Sequence, residues 1–80
     1  MFYVYILQSQ KDSTFYIGFT TNLENRLQKH NNSKSGYTST KKPWVLVYSE
    51  AFETKKAALQ REIFLKKQKN KEFYKKLISS

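Results

Sequence analysis

The stretch Phe2-Tyr3-Val4-Tyr5-Ile6-Leu7 is a run of β-branched and aromatic residues without a charge, a composition that favours a strand. The polar segment Gln8-Ser9-Gln10-Lys11-Asp12-Ser13-Thr14 has the make-up of a turn, and Phe15-Tyr16-Ile17-Gly18-Phe19 resumes the strand signal. Residues 2–19 therefore read as a β-hairpin. Alternate side chains of a strand point to opposite faces. One face of the hairpin, built from Phe2, Val4, Ile6, Phe15, Ile17 and Phe19, is wholly apolar and should be buried. The other carries Tyr3, Tyr5, Tyr16 and Gly18. A register that sets Tyr5 opposite Tyr16 also sets Tyr3 opposite Gly18, and leaves open space over the glycine for a ligand to approach the backbone. The bland alternative for the two phenols is an ordinary cross-strand aromatic pair.

Working outward, Thr21-Asn22-Leu23-Glu24 fits a capping box, which predicts a helix from there to about Asn31. Residues 32–43, with Gly36 and Pro43 among Ser, Thr and Lys, read as a loop. Trp44-Val45-Leu46-Val47-Tyr48 is a third strand. Thr54 can cap a second helix, in which Ala57-Ala58-Leu59 and Ile63-Phe64-Leu65 predict apolar contact on more than one side. Asn70 can cap a last short helix bearing Phe73, Leu77 and Ile78. The order is ββαβαα, an α+β chain, with no repeat or low-complexity segment.

At 80 residues the chain is the size of one small domain, spanning residues 1–80. It has no Cys, which excludes disulfides, thiolate zinc sites and cysteine nucleophiles. With 16% aromatic residues it has material for a core, and disorder is excluded on composition. Its longest apolar run, Phe2 to Leu7, is far shorter than the roughly 20 residues a membrane span needs. The expectation is a soluble protein, cytoplasmic if bacterial, without a membrane partner.

The net charge is +9, a field that attracts polyanions, of which nucleic acid is the commonest in cells. The charge is uneven: residues 1–50 carry six Lys and Arg against three acids, and residues 51–80 carry nine against three. Lys66, Lys67, Lys69, Lys71, Lys75 and Lys76 fit a phosphate-contacting surface; the alternative is a solvated helix face. In the first helix Leu23, Arg26, Leu27 and His30 fall at i, i+3, i+4 and i+7, so a helix docked by its leucines carries Arg26 and His30 towards the sheet. Arg26 offers a planar fork suited to phosphate oxygens; otherwise it pairs with an acid, and His30 is a histidine at the rim of the core. Glu62 has Ala58, Leu59 and Leu65 as helical neighbours, and Lys66 at i+4 as its ordinary partner. A carboxylate in that setting is also a place to hold a hard cation.

Val4-Tyr5, then Tyr16-Ile17-Gly18, then a helix bearing Arg26 and His30, then Glu62 in a later helix, resembles the GIY-YIG nuclease superfamily over nearly the whole chain. Tyr3-Val4-Tyr5-Ile6-Leu7, His30-Asn31 and Leu46-Val47-Tyr48-Ser49-Glu50 resemble its short, single-domain bacterial branch. The Gly-Ile-Tyr triplet stands here as Tyr3-Val4-Tyr5, and no second nucleic-acid-binding domain is expected within these residues. The resemblance implies a three-stranded antiparallel sheet flanked by helices, and an endonuclease that hydrolyses phosphodiester bonds with one Mg²⁺ or Mn²⁺ ion. It implies Glu62 as the metal ligand, Arg26 as the stabiliser of charge on the scissile phosphate, Tyr5 as general base and Tyr16 as its hydrogen-bonding companion. Which of Tyr5, Tyr16 and His30 moves the proton stays open, because a phenol of pKa about 10 is a poor base at neutral pH. Gly18, Lys41, Lys66 and Lys67 are candidate substrate contacts, with Thr20 and Asn31 as secondary ones. The expected substrate is DNA before RNA, in repair or recombination. The alternatives are a non-catalytic basic nucleic-acid-binding module of the same fold, or a domain whose second-helix surface serves a protein partner, a reading that exposure of Phe64 or Phe73 favours.

Overall fold

The structure is a computed structural model that describes residues 1–34 and 36–79. Its elements are β1 (Phe2–Ser9), β2 (Phe15–Thr20), α1 (Leu23–Asn32), α2 (Tyr37–Thr40), β3 (Trp44–Phe52), α3 (Lys55–Gln68) and α4 (Lys71–Ser79). The strands form one antiparallel sheet in the order β2-β1-β3. This is the α+β architecture that the strand and helix signals predict, with one addition. The predicted loop contains the single turn α2, preceded by Gly36 at φ 87°, a backbone conformation open to glycine.

The hairpin register differs from the expected one. Tyr5 lies opposite Gly18, Leu7 opposite Tyr16 and Tyr3 opposite Thr20. The turn decides it. Ser9 Oγ accepts from the amides of Lys11 and Asp12, Asp12 Oδ1 accepts from Thr14 N, and Ser13 takes φ 65°. These bonds close the loop with Ser9 N donating to Thr14 O at 2.8 Å, which moves the pairing by two residues. A shift of two leaves every side chain on its face, so the tyrosine face and the apolar face survive the correction.

Three layers result. Val4, Ile6 and Ile17 meet Ala58 and Leu65 of α3 and Tyr74 of α4, with Phe2, Phe15, Phe19, Val47 and Tyr48 packed around them. On the opposite face Tyr5, Leu7 and Trp44 form a second cluster with Tyr16, Leu46 and the α1 residues Leu23 and Leu27. Strand β3 runs four residues past the predicted Tyr48, to Phe52. Glu50 interrupts the apolar pattern there, but its Oε2 accepts from Tyr48 Oη at 2.8 Å and from Arg61 Nε at 2.9 Å, so the acid is held inside the pairing.

Helix starts follow side-chain caps. Thr54 accepts from Ala57 N and Asn70 accepts from Glu72 N and Phe73 N, as their positions predict. For α1 the cap is Asn22, which accepts from Asn25 N at 3.0 Å, and not Thr21. The hydroxyl of buried Thr20 accepts from Asn22 N and fixes that residue as the first corner. The expectation of a largely packed second helix fails, since Ile63 is 51% and Phe64 46% exposed. Helix α3 docks on one face of the sheet through Ala58 and Leu65, leaving its outer side in water, where the Arg61 guanidinium sits over the Phe64 ring at 5.2 Å.

A Cβ on Gly18 falls 2.5 Å from Tyr5 Oη and 2.7 Å from Tyr5 Cζ, and Tyr5 is only 2% exposed. A buried ring cannot step aside without repacking, so Gly18→Ala is expected to destabilise the fold by about 1–3 kcal/mol in urea unfolding. The penalty should shrink in a Tyr5→Ala background, because the double substitution removes the clash.

Candidate active site

The tyrosine face of the hairpin is closed by α1, and the junction is polar at one point. Tyr5 Oη lies 3.3 Å from His30 Nε2, a buried hydrogen bond between a strand and the last turn of a helix. A phenol taken out of water needs such a partner. The Tyr16 ring stacks on Tyr5 with centroids 6.5 Å apart and meets His30 edge-on at 4.6 Å. Trp44, 2% exposed, closes the group at 5.9 Å from Tyr16 and 6.4 Å from His30. Asn31 fastens this corner, because its Oδ1 accepts from Trp44 N at 2.6 Å and its Nδ2 donates to Trp44 O at 3.0 Å. That two-point bond ties the end of α1 to the start of β3 and sets His30, its chain neighbour, over Tyr5 and Tyr16.

The electrostatics follow from burial. Desolvation pushes the Tyr5 phenol well above its ordinary range, with Tyr16 and Glu62 adding to the rise and Arg26 opposing it. Desolvation also lowers the His30 pKa, and the Arg26 charge lowers it further. Both groups are thus held neutral at pH 7. A protonated phenol beside a neutral imidazole donates to Nε2 when the imidazole carries its proton on Nδ1.

Of the stripe predicted on α1, Leu23, Leu27 and His30 turn inward, but Arg26 is exposed. It falls on the flank of the helix, where its long side chain reaches water while its charge still bears on Tyr5 and His30. Glu62 comes from α3 on the far side of the sheet. Its side chain is 15% exposed, and Lys66 Nζ lies 3.3 Å from its Oε2. The Glu62 charge nonetheless reaches Tyr5.

The expected open space over Gly18 is absent, because the register places the Tyr5 ring there. Lys41 pairs with Asp12, and its carbonyl accepts from Ser9 Oγ at 2.5 Å, so it fastens the loop to the hairpin turn. Lys67 is exposed on α3. Trp44 is the site residue that sequence reasoning missed. It reads only as the first residue of a strand, and its neighbours come from residues 14 and 28 positions earlier. Asn31 beside His30 carried a weak signal as a polar neighbour.

Among the described residues no three His, Asp or Glu side chains gather as a metal site, but Mg²⁺ needs only one or two carboxylates when water and substrate phosphate complete its shell. Glu62, mostly shielded from solvent and paired with Lys66, is the carboxylate whose charge bears on Tyr5.

The GIY-YIG catalytic domain model matches residues 1–76. The chain is 48% identical to the UPF0213 protein SH2523 of Staphylococcus haemolyticus over 65 residues, covering 80% of this chain and 78% of that one. It is 40% identical to the UPF0213 protein YazA of Bacillus subtilis over 67 residues, covering 80% and 68%. The solution NMR structure of the UPF0213 protein BH0048 from Bacillus halodurans superposes with a TM-score of 0.60 at 33% identity, covering 99% of this chain and 84% of that one. The ordered tyrosines, Gly18, Arg26, His30 and Glu62 thus lie within a match that takes in both layers around the sheet, and the chain belongs to the GIY-YIG catalytic domain family.

Proposed function

We propose that the protein is a divalent-metal-dependent endonuclease that hydrolyses phosphodiester bonds in DNA, in the setting of repair or recombination. The observation that carries this reading is the buried Tyr5–His30 hydrogen bond, with Arg26 and Glu62 close enough for their charges to act on Tyr5. Glu62 would hold one Mg²⁺ or Mn²⁺ ion, which when bound would supply positive charge to a phosphate there. Arg26, exposed and permanently charged, binds a phosphate oxygen and stabilises negative charge as it grows. Tyr5 and His30 form the proton path. The phenol is a poor base on its own, whereas a neutral imidazole at its hydroxyl accepts the phenol proton as Tyr5 takes one from the attacking water. Tyr16 and Trp44 fix the imidazole and keep bulk water away from it.

The binding module without turnover has one observation in its favour. Lys66 already neutralises Glu62 at 3.3 Å, and an ion must displace that ammonium.

Plasmid, single-stranded and branched DNA incubated with Mg²⁺ should be cut, and chelator should stop cutting. Glu62→Ala and Arg26→Ala should each lower the rate by at least about a hundredfold. Cleavage that survives both substitutions sinks the mechanism, while salt-sensitive binding without turnover selects the binding module.

The same pair sets two pH dependences. His30 is neutral down to pH values below its ordinary 6.5, and Tyr5 keeps its proton above 10. The cleavage rate, measured on one substrate, should therefore stay level between about pH 7 and 9 and fall on the acid side of 6.5. Stability has the same sign. Below 6.5 the unfolded chain takes up a proton on His30 that the folded chain resists, so this contribution is complete above 6.5 and is lost as pH falls through the folded value. His30→Gln should flatten that part of the urea-midpoint profile.

A further inference from the structure

The outward face of α1 takes no part in the proton path. Asn25, Gln28, Lys29 and Asn32 fall at i, i+3, i+4 and i+7, forming a second stripe, and all four are exposed. They line a groove of about 750 Å³, with Arg26 on its sheet-side edge and Thr21 at one end. The groove wall contains no acid and no apolar side chain among the described residues. The side-chain amides of Asn25, Gln28 and Asn32 make no hydrogen bond within the described chain. An ordinary solvated face mixes signs of charge and is convex. This one is a shallow, open groove whose charged side chains, Arg26 and Lys29, are both positive, and it adds three groups that each present a donor and an acceptor.

That combination suits a nucleic-acid strand, because cations take its phosphates and side-chain amides pair with base edges. The groove also selects the form of the strand. A duplex shows its base edges inside its own grooves, and a protein reads them by pushing a helix in. Here the amides lie along a shallow open groove beside Thr20, Thr21 and Ser33, where unpaired bases can turn their edges to them. The ten residues of α1 make a wall about 15 Å long, the reach of a few nucleotides.

We propose that this groove binds an unpaired nucleic-acid strand, with Arg26 and Lys29 on its phosphates and Asn25, Gln28 and Asn32 on its base edges. The strand runs from the scissile phosphate along α1, and the chain selects its substrate with its own helix. Only the position of the scissile bond rests on the nuclease reading; the binding does not.

The test is fluorescence anisotropy in chelator, with labelled dA, dC and dT homopolymers and a duplex of equal length. The wild-type protein should prefer one homopolymer over the weakest by about tenfold. Asn25→Ala/Gln28→Ala/Asn32→Ala should reduce that ratio to within about threefold. Lys29→Ala should weaken all strands alike and lower the slope against log salt by about one. The three amide positions are exposed and alanine favours helix, so circular dichroism should be unchanged; if the triple variant loses helix, Gln28→Ala alone carries the comparison. The proposal is overturned by a wild-type protein without base preference, by a triple variant that keeps the preference, or by duplex bound as tightly through the same residues. Glu62-dependent cleavage with an unchanged preference in the triple variant removes the groove and leaves the nuclease reading. Loss of preference in a protein that never cleaves does the reverse.

Discussion

Strand β1 is paired along both edges and covered on both faces, and the remaining structure is arranged around that constraint. Val4, Tyr5, Ile6 and Leu7 are each no more than 2% exposed. Val4 and Ile6 demand the cover that α3 and α4 provide, and Tyr5 and Leu7 demand that of α1. Within this run Tyr5 carries the only polar side chain. Its hydroxyl cannot stay unpaired at that depth without a cost of about 1–3 kcal/mol, and the partner within reach is the imidazole on the helix that buries it. The packing requirement and the chemically distinctive contact of the site are one and the same.

Much of the fold was legible because strand composition and cap residues act locally. The hairpin, the third strand, and the caps Thr54 and Asn70 all stand where their residues predict. What was not legible depends on partners distant in the chain or on particular hydrogen bonds. The register rests on Ser9 and Asp12 side chains bonding to turn amides, which composition does not encode. The length of β3 rests on Arg61 meeting Glu50 from a helix that follows the strand. The α1 stripe shows the limit of periodicity: it places Arg26 and His30 on one side, yet the short imidazole is buried and the long guanidinium extends into water.

The excess charge is organised in a similar way. Lys41 is bound to Asp12, Lys66 to Glu62 and Lys75 to Glu72, while Lys67, Lys69, Lys71 and Lys76 stand exposed on α3 and α4 and where the two helices join. The paired lysines hold the structure or mask an acid; the exposed ones shape a field. Such a field raises encounter rates with polyanions and falls off with salt over roughly 10 Å. A field of this kind acts on any polyanion alike and carries no sequence information.

The clasp of Asn31 on Trp44 has an optical consequence. Trp44 is the one tryptophan in the chain, and it is enclosed with the rings of Tyr16 and His30. Its emission therefore originates from a dry setting and is sensitive to the ionisation of an adjacent imidazole, an efficient quencher once protonated. Tyrosines so near pass their excitation to the indole. The protein carries a built-in fluorophore where α1 meets the sheet, and loosening of that corner can be followed on the unlabelled molecule.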